Sequence, residues 1–300
     1  MAIFSFVAVL FLWTHGALGS EDHHHHHHSP KPSKALILGK DDALSACTHP
    51  QVCALVVKAQ KALKIDSPPP RLAFALVGDP HHFSPSPKLI KRLTKTQSLF
   101  APHLSLWPWG RKILQMRRKD EGKKTFTLGL PPDFKSGRSL SKEAVAHFWL
   151  SPSSYCHAFK ETVTYIKSLH APRTWPSSTP CPHEGLSRHF KKAFGKTTAP
   201  FVLNHDALVP LLEEYNVPYL SLRTSGHHAE LGPKDLKRAM QFLARHKKVY
   251  WVWESQIKTP KAITAMKRKG DKNLRLDTLG KENDQKAPLE VFMDQLKKTF

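Results

Sequence analysis

Residues 201–222 read FVLNHDALVPLLEEYNVPYLSL. Phe201 to Leu203 is a brief apolar run of strand character, closed by the polar Asn204-His205-Asp206. Ala207 to Tyr215 then reads as a helix, with Pro210 in its first turn, where proline is tolerated. Asp206 stands where an N-cap would be expected. Tyr219 to Leu222 reads as a second strand. A short buried strand, a helix and another short strand form the repeating unit of an α/β protein with parallel sheets.

The same alternation extends in both directions. Upstream, Arg71 to Val77 (RLAFALV) is a strand pattern that stops at Gly78-Asp79-Pro80, Lys88 to Leu99 a helix, and Lys124 to Leu128 a strand. Ser153 to Leu169 has helical length, with Tyr155, Phe159, Val163, Ile166 and Leu169 at three-to-four spacing. A proline-rich break from Pro172 to Pro182 precedes a basic helix from Glu184 to Phe194. Downstream come a helix at Lys234 to His246, strands at Val249 to Trp253 and Leu274 to Leu276, and a closing helix at Pro288 to Thr299. The break and the helix after it divide the chain into lobes at 34–182 and 200–300, with 183–199 as the connecting helix.

The 300 residues, 40% of them hydrophobic, exclude wholesale disorder, and no recurring period marks a repeat array. Residues 1–19 read as a cleaved secretory signal: an apolar run from Ala2 to Leu18, then small residues before Ser20, though without a basic start. Residues 20–33 hold a histidine run, His23 to His28, that is either a purification tag or a natural metal-scavenging tract. No cysteine follows the leader, so no lipid-attachment signal is present and a soluble periplasmic protein is expected. Four cysteines suit an oxidising compartment. Sequence separation favours pairing Cys47 with Cys53 and Cys156 with Cys181, out of three possible connectivities.

The net charge of +22 raises polyanions as partners, with Arg111, Lys112, Arg117, Arg118, Lys119, Lys123 and Lys124 as a local cluster. Such a run is ordinarily a solvated face, and no nucleic-acid partner is expected from it. The more informative polar residues sit at strand ends. His81 and His82 follow the RLAFALV strand, His205 follows Phe201–Leu203, Asp277 follows Leu274–Leu276, and His147 lies in AHFWLSP before the Ser153 helix. Open α/β sheets bind ligands beyond the carboxyl ends of their strands. Three imidazoles and a carboxylate form a donor set suited to tetrahedral zinc, although an isolated histidine at a strand end is ordinarily only a hydrogen-bonded residue.

Five stretches carry a family resemblance: GDPHHFSPSP (78–87), AHFWLSP (146–152), NHDA (204–207) followed by Tyr215, ELGPKDL (230–236) and LDTLG (276–280). In this order they resemble the motifs of the zinc- and manganese-binding branch of ABC-transporter solute-binding proteins. AHFWLSP departs from that pattern by alanine and serine where the family has aspartates. The resemblance implies two α/β lobes with parallel-rich sheets joined by a backbone helix, and a metal site between the lobes. Its ligands would be His81, His147, His205 and Asp277, with His82 at a variable position. It further implies a monomer that takes up Zn2+, or alternatively Mn2+, and delivers it to a cognate ABC permease in the inner membrane. A nitrogen-rich set with His205 as third ligand suits zinc. A filled coordination sphere implies binding without turnover. The competing reading is a zinc hydrolase on the same histidines, with Glu254 as its nearest candidate base.

Overall fold

The computed structural model describes residues 45–66, 70–72, 83–120, 122–134, 136, 140–170, 174–222, 232–255, 261–278, 280 and 286–300. The leader, the histidine run, most of the RLAFALV strand and both His81 and His82 lie outside the described residues.

Two four-stranded parallel sheets are formed in succession. The first contains β1 (Ser45–Cys47), β2 (Arg71–Leu72), β3 (Ser98–Pro102) and β4 (Lys124–Leu128), in the order β2-β1-β3-β4. The second contains β5 (Phe201–Leu203), β6 (Tyr219–Ser221), β7 (Tyr250–Glu254) and β8 (Lys272–Leu276), in the order β6-β5-β7-β8. Both orders therefore follow one pattern, in which the chain starts beside the middle of the sheet, builds to one side and then crosses to the other. Parallel neighbours need crossover helices, so both faces of each sheet become covered.

In the first half the helices are α1 (Pro50–Ala62), α2 (Pro87–Lys95), α3 (Gly110–Arg117) and α4 (Lys142–Ala146). Between the sheets run α5 (Pro152–Leu169) and α6 (Glu184–Phe194), and the second half holds α7 (Val209–Glu214), α8 (Pro233–Ala244), α9 (Lys261–Ala265) and α10 (Pro288–Thr299). Among the described residues no helix is long and apolar enough to cross a membrane.

Alternation along the strands sorts the side chains. Leu99 and Ala101 of β3 pack against Leu89 and Leu93 of α2 and Ile113 of α3. Phe100 between them points the other way, into a core shared with α1 and α5. In the second sheet Val202 and Trp251 face α8, whereas Phe201, Leu203 and Val252 face that shared core. One continuous apolar cluster thus runs from Phe100 and Leu128 of the first sheet, through Phe159 and Phe292, to Leu203 and Val252 of the second.

The structure changes three expectations. The helix expected over Lys88–Leu99 ends at Lys95: Thr96 turns to extended backbone (φ −58°, ψ 135°), and Ser98 and Leu99 begin β3. Asp206 is not a helix cap. It lies within a 3-10 turn, where its carboxylate accepts a hydrogen bond from Ser221 Oγ. Arg117 does not belong to the solvated basic face, because it is buried and its guanidinium donates to the carbonyls of Leu93, Thr96, Gln97 and Lys124. Arginine's planar fork joins the end of α2 to β4 in a way that lysine could not.

Both expected cysteine pairs are disulfide-bonded, each with Cα atoms 5.4 Å apart. Cys156–Cys181 fastens the proline-rich break to α5 and brings His183 against Tyr155, with ring centroids 3.8 Å apart. His183 is 1% exposed, and neither ring nitrogen has a hydrogen-bond partner among the described residues. Burial, and to a lesser degree the Lys58 ammonium, push its pKa down to about 3.

The unfolded chain binds a proton at this imidazole below about pH 6.5, while the folded chain does not until much lower pH. The stability that His183 preserves is therefore present above about pH 6.5 and is lost as pH falls towards 3, at up to about 1.4 kcal/mol per pH unit. His183→Phe keeps the stacked ring and removes the proton site. Denaturant titrations at pH 7, 6, 5 and 4 should show a shallower loss of stability in the variant, and identical slopes would refute the assignment.

Candidate metal centre

The candidate site lies at the carboxyl ends of the strands, where the element order brings both sheets together. His205 directly follows β5, and Glu254 ends β7, the neighbouring strand across the point where the chain reverses its direction of travel. Crevices at such switch points are where open parallel sheets bind ligands. His205 Nδ1 lies 2.5 Å from Glu254 Oε1, with both side chains buried. An ionised carboxylate can only accept, so Nδ1 carries the proton and the lone pair of the neutral ring lies on Nε2. The main chain that carries this carboxylate is held to the end of β5, because the Glu254 backbone N–H donates to Asn204 Oδ1 at 3.3 Å.

His147 ends α4 and precedes a 3-10 turn, Phe148–Leu150. Its ring meets that of His205 edge to face, with centroids 5.3 Å apart, and is 2% exposed. Trp149 organises the surroundings. Its indole lies 5.2 Å from the His147 ring and stacks at 4.7 Å on His49, and its Nε1–H donates to the carbonyl of Thr278 at 2.9 Å.

That last bond pins the turn following β8, which contains Asp277, itself buried. Gly280 completes the turn at φ +67°, and a Cβ there would lie 2.7 Å from Gln51 Nε2. The left-handed backbone calls for glycine, whereas the Gln51 amide is the end of a flexible side chain that can move aside. Glu214 at the end of α7 accepts from Ser151 Oγ at 2.5 Å, which ties the AHFWLSP stretch to the helix after His205.

No protein-family model matches the sequence, and no curated protein matches it. Solved structures do. The laminin-binding protein Lmb of Streptococcus agalactiae, described as an adhesin with metal-transporting activity, shares 19% identity over 86% of this chain and 98% of its own, with a TM-score of 0.64. A manganese-bound periplasmic metal-binding protein mutant from Candidatus Liberibacter asiaticus shares 15% identity over 85% of this chain and 97% of its own, with a TM-score of 0.60. Zn(II)-bound AdcA of Streptococcus pneumoniae shares 16% identity over 85% of this chain, which spans only 56% of AdcA, with a TM-score of 0.55.

The chain has the fold of the metal-binding solute-binding proteins.

Within this solute-binding fold, His147 and His205 are brought into contact, and the turn bearing Asp277 is tied to Trp149 beside them. His81 lies outside the described residues, and among the described residues no three His, Cys, Asp or Glu side chains are grouped closely enough to hold a metal ion. Glu254, read from sequence only as a loose candidate base, is the carboxylate that orients His205.

His49 escaped the sequence reading altogether. It caps α1 directly beyond β1, accepts from the Gln51 backbone N–H at 3.3 Å, and is 2% exposed. The usable signal was Thr48-His49-Pro50: a polar pair before a proline that can open a helix, following a short run of small residues.

Proposed function

We propose that this protein captures a divalent cation, zinc in preference to manganese, through His81, His147, His205 and Asp277, and passes it to an ABC permease. The contact between His147 and His205 at the strand ends, with Nδ1 of His205 committed to Glu254, carries the reading. A histidine whose other nitrogen donates to a carboxylate is held as a metal ligand is held, with fixed tautomer and raised basicity. The solute-binding fold supports it, since AdcA and the Candidatus Liberibacter protein are described with Zn(II) and Mn bound and Lmb with metal-transporting activity. Nitrogen-rich donors favour zinc over manganese.

Capture rather than hydrolysis is favoured by Glu254. Its carboxylate is buried against His205, where a hydrolase would need a base facing water. The domain division at 183–199, a cleaved leader, a periplasmic location and a monomeric state all belong to the same proposal.

The test uses protein freed of residues 23–28, titrated with zinc against a competing chelator. One zinc per chain is expected. Asp277→Ala should weaken binding less than His147→Ala, because water can take the place of a carboxylate oxygen. Unchanged affinity in both variants would refute the ligand assignment.

A further inference from the structure

Between Ser84 and Lys119 the sequence contains nine Lys and Arg residues and no Asp or Glu. The fold turns this imbalance into a surface. α2 and α3 pack side by side on the face of the first sheet opposite the continuous core, burying Leu89, Leu93 and Ile113. Lys88, Lys91 and Lys95 are exposed at i, i+3 and i+7 along α2, opposite Leu89 and Leu93. On α3, Lys112 is exposed one turn before Met116, and Lys119 is exposed in the turn that follows the helix. Met116 is 43% exposed, one of three large apolar side chains this open among the described residues. Among the described residues, the ion pair formed close by, Lys123 with Asp120, does not involve these lysines.

We propose that the paired outer faces of α2 and α3 dock the protein onto an anionic lipid bilayer. Juxtamembrane lysines are drawn to anionic headgroups within a Debye length, and each adds to the attraction. An apolar side chain among them finds cover in the headgroup and acyl boundary, as on amphipathic interfacial helices. A soluble polyanion would satisfy the lysines but leave Met116 in water, so the bilayer is the occupant that fits both observations. This proposal does not depend on the metal-site reading.

The test is cosedimentation of the full chain with vesicles of phosphatidylcholine alone or mixed with phosphatidylglycerol. Binding should require phosphatidylglycerol and weaken with added salt. Exchanging Lys91, Lys95, Lys112 and Lys119 for glutamate should reduce binding roughly tenfold or more. The same charge change made at Lys191 and Lys192 on α6, Lys196 just after it and Lys298 on α10 should leave most of it. Should the glutamate variant lose its helical circular dichroism, the corresponding four glutamine exchanges serve in its place, with a smaller expected loss in the same direction. Met116→Ser should weaken vesicle binding but leave retention on a heparin column unchanged. Equal losses from the two sets of lysines would overturn the proposal by showing only net charge. Heparin retention through these lysines without vesicle binding, or Met116→Ser binding vesicles as well as the parent, would overturn the bilayer as occupant.

Discussion

Glu254→Gln should lower zinc affinity by about 10- to 100-fold, the usual cost of losing a carboxylate behind a histidine ligand. His205→Ala should lower it further. The amide of glutamine fills the same space but has no charge with which to stabilise the metal-bound imidazole. It can also turn its NH2 towards Nδ1, which would reverse the tautomer and place a proton on Nε2. The Asn204 side chain that accepts from the Glu254 backbone stays in place, so the strand end should keep its form. The two substitutions separate orientation from ligation, because one alters the ring's proton and the other removes the ring. Competition titrations on protein lacking residues 23–28 give the affinities, and thermal unfolding without metal checks that the fold persists. Affinity in Glu254→Gln equal to that of the parent would show that the carboxylate does not act on the metal through His205.

Trp149→Ala should be the most destabilising single change near the site, at about 3–5 kcal/mol. The side chain is 1% exposed and fills the space between His49, His147 and Phe148. Its loss also strands the Thr278 carbonyl that its indole N–H satisfies. Trp149→Phe divides the two contributions: most of the packing remains, the hydrogen bond does not, and about 1–3 kcal/mol should be lost. The β8 turn should loosen in both variants, so zinc affinity should fall along with stability. Denaturant unfolding monitored by far-ultraviolet circular dichroism measures the first effect and chelator competition the second. A Phe variant with unchanged stability would mean that the Thr278 contact contributes nothing.

Much of this architecture was legible because its strands are short apolar runs with abrupt polar ends. β4, β5, α6 and α10 fall where the patterns placed them, bounded by prolines, glycines and charge. β3 was hidden because Ser98 and Leu99 follow α2 after only two residues, with no proline or glycine between to mark where the chain leaves the helix. That exit is helped by Arg117, more than twenty residues away, which takes up the Leu93 and Thr96 carbonyls.

β1 and α1 went unread, the strand because Ser45–Cys47 is made of small residues, without the bulky apolar run that marked the equally short β5. His49 was lost with them. Within the site, the strand-end reading singled out His81, His205 and Asp277, took His147 beside them from its place before the Ser153 helix, and motif order named the same four residues. The pairing of His205 with Glu254 depends on which strands are neighbours, and β5 lies beside β7 only because the chain crosses over after β6.

The continuous apolar cluster has a mechanical consequence. A receptor that opens widely around a hinge must have little in common between its halves, yet here Phe100, Phe159, Phe201 and Phe292 belong to one body of packed side chains. Each buried phenylalanine is worth about 1.5–3 kcal/mol. Prising the sheets apart would therefore forfeit an amount comparable with the whole net stability of a typical domain, about 5–15 kcal/mol. Such packing suits a stiff clasp rather than a trap with swinging jaws, and a cation captured as proposed above would enter and leave through small sliding displacements at the strand ends.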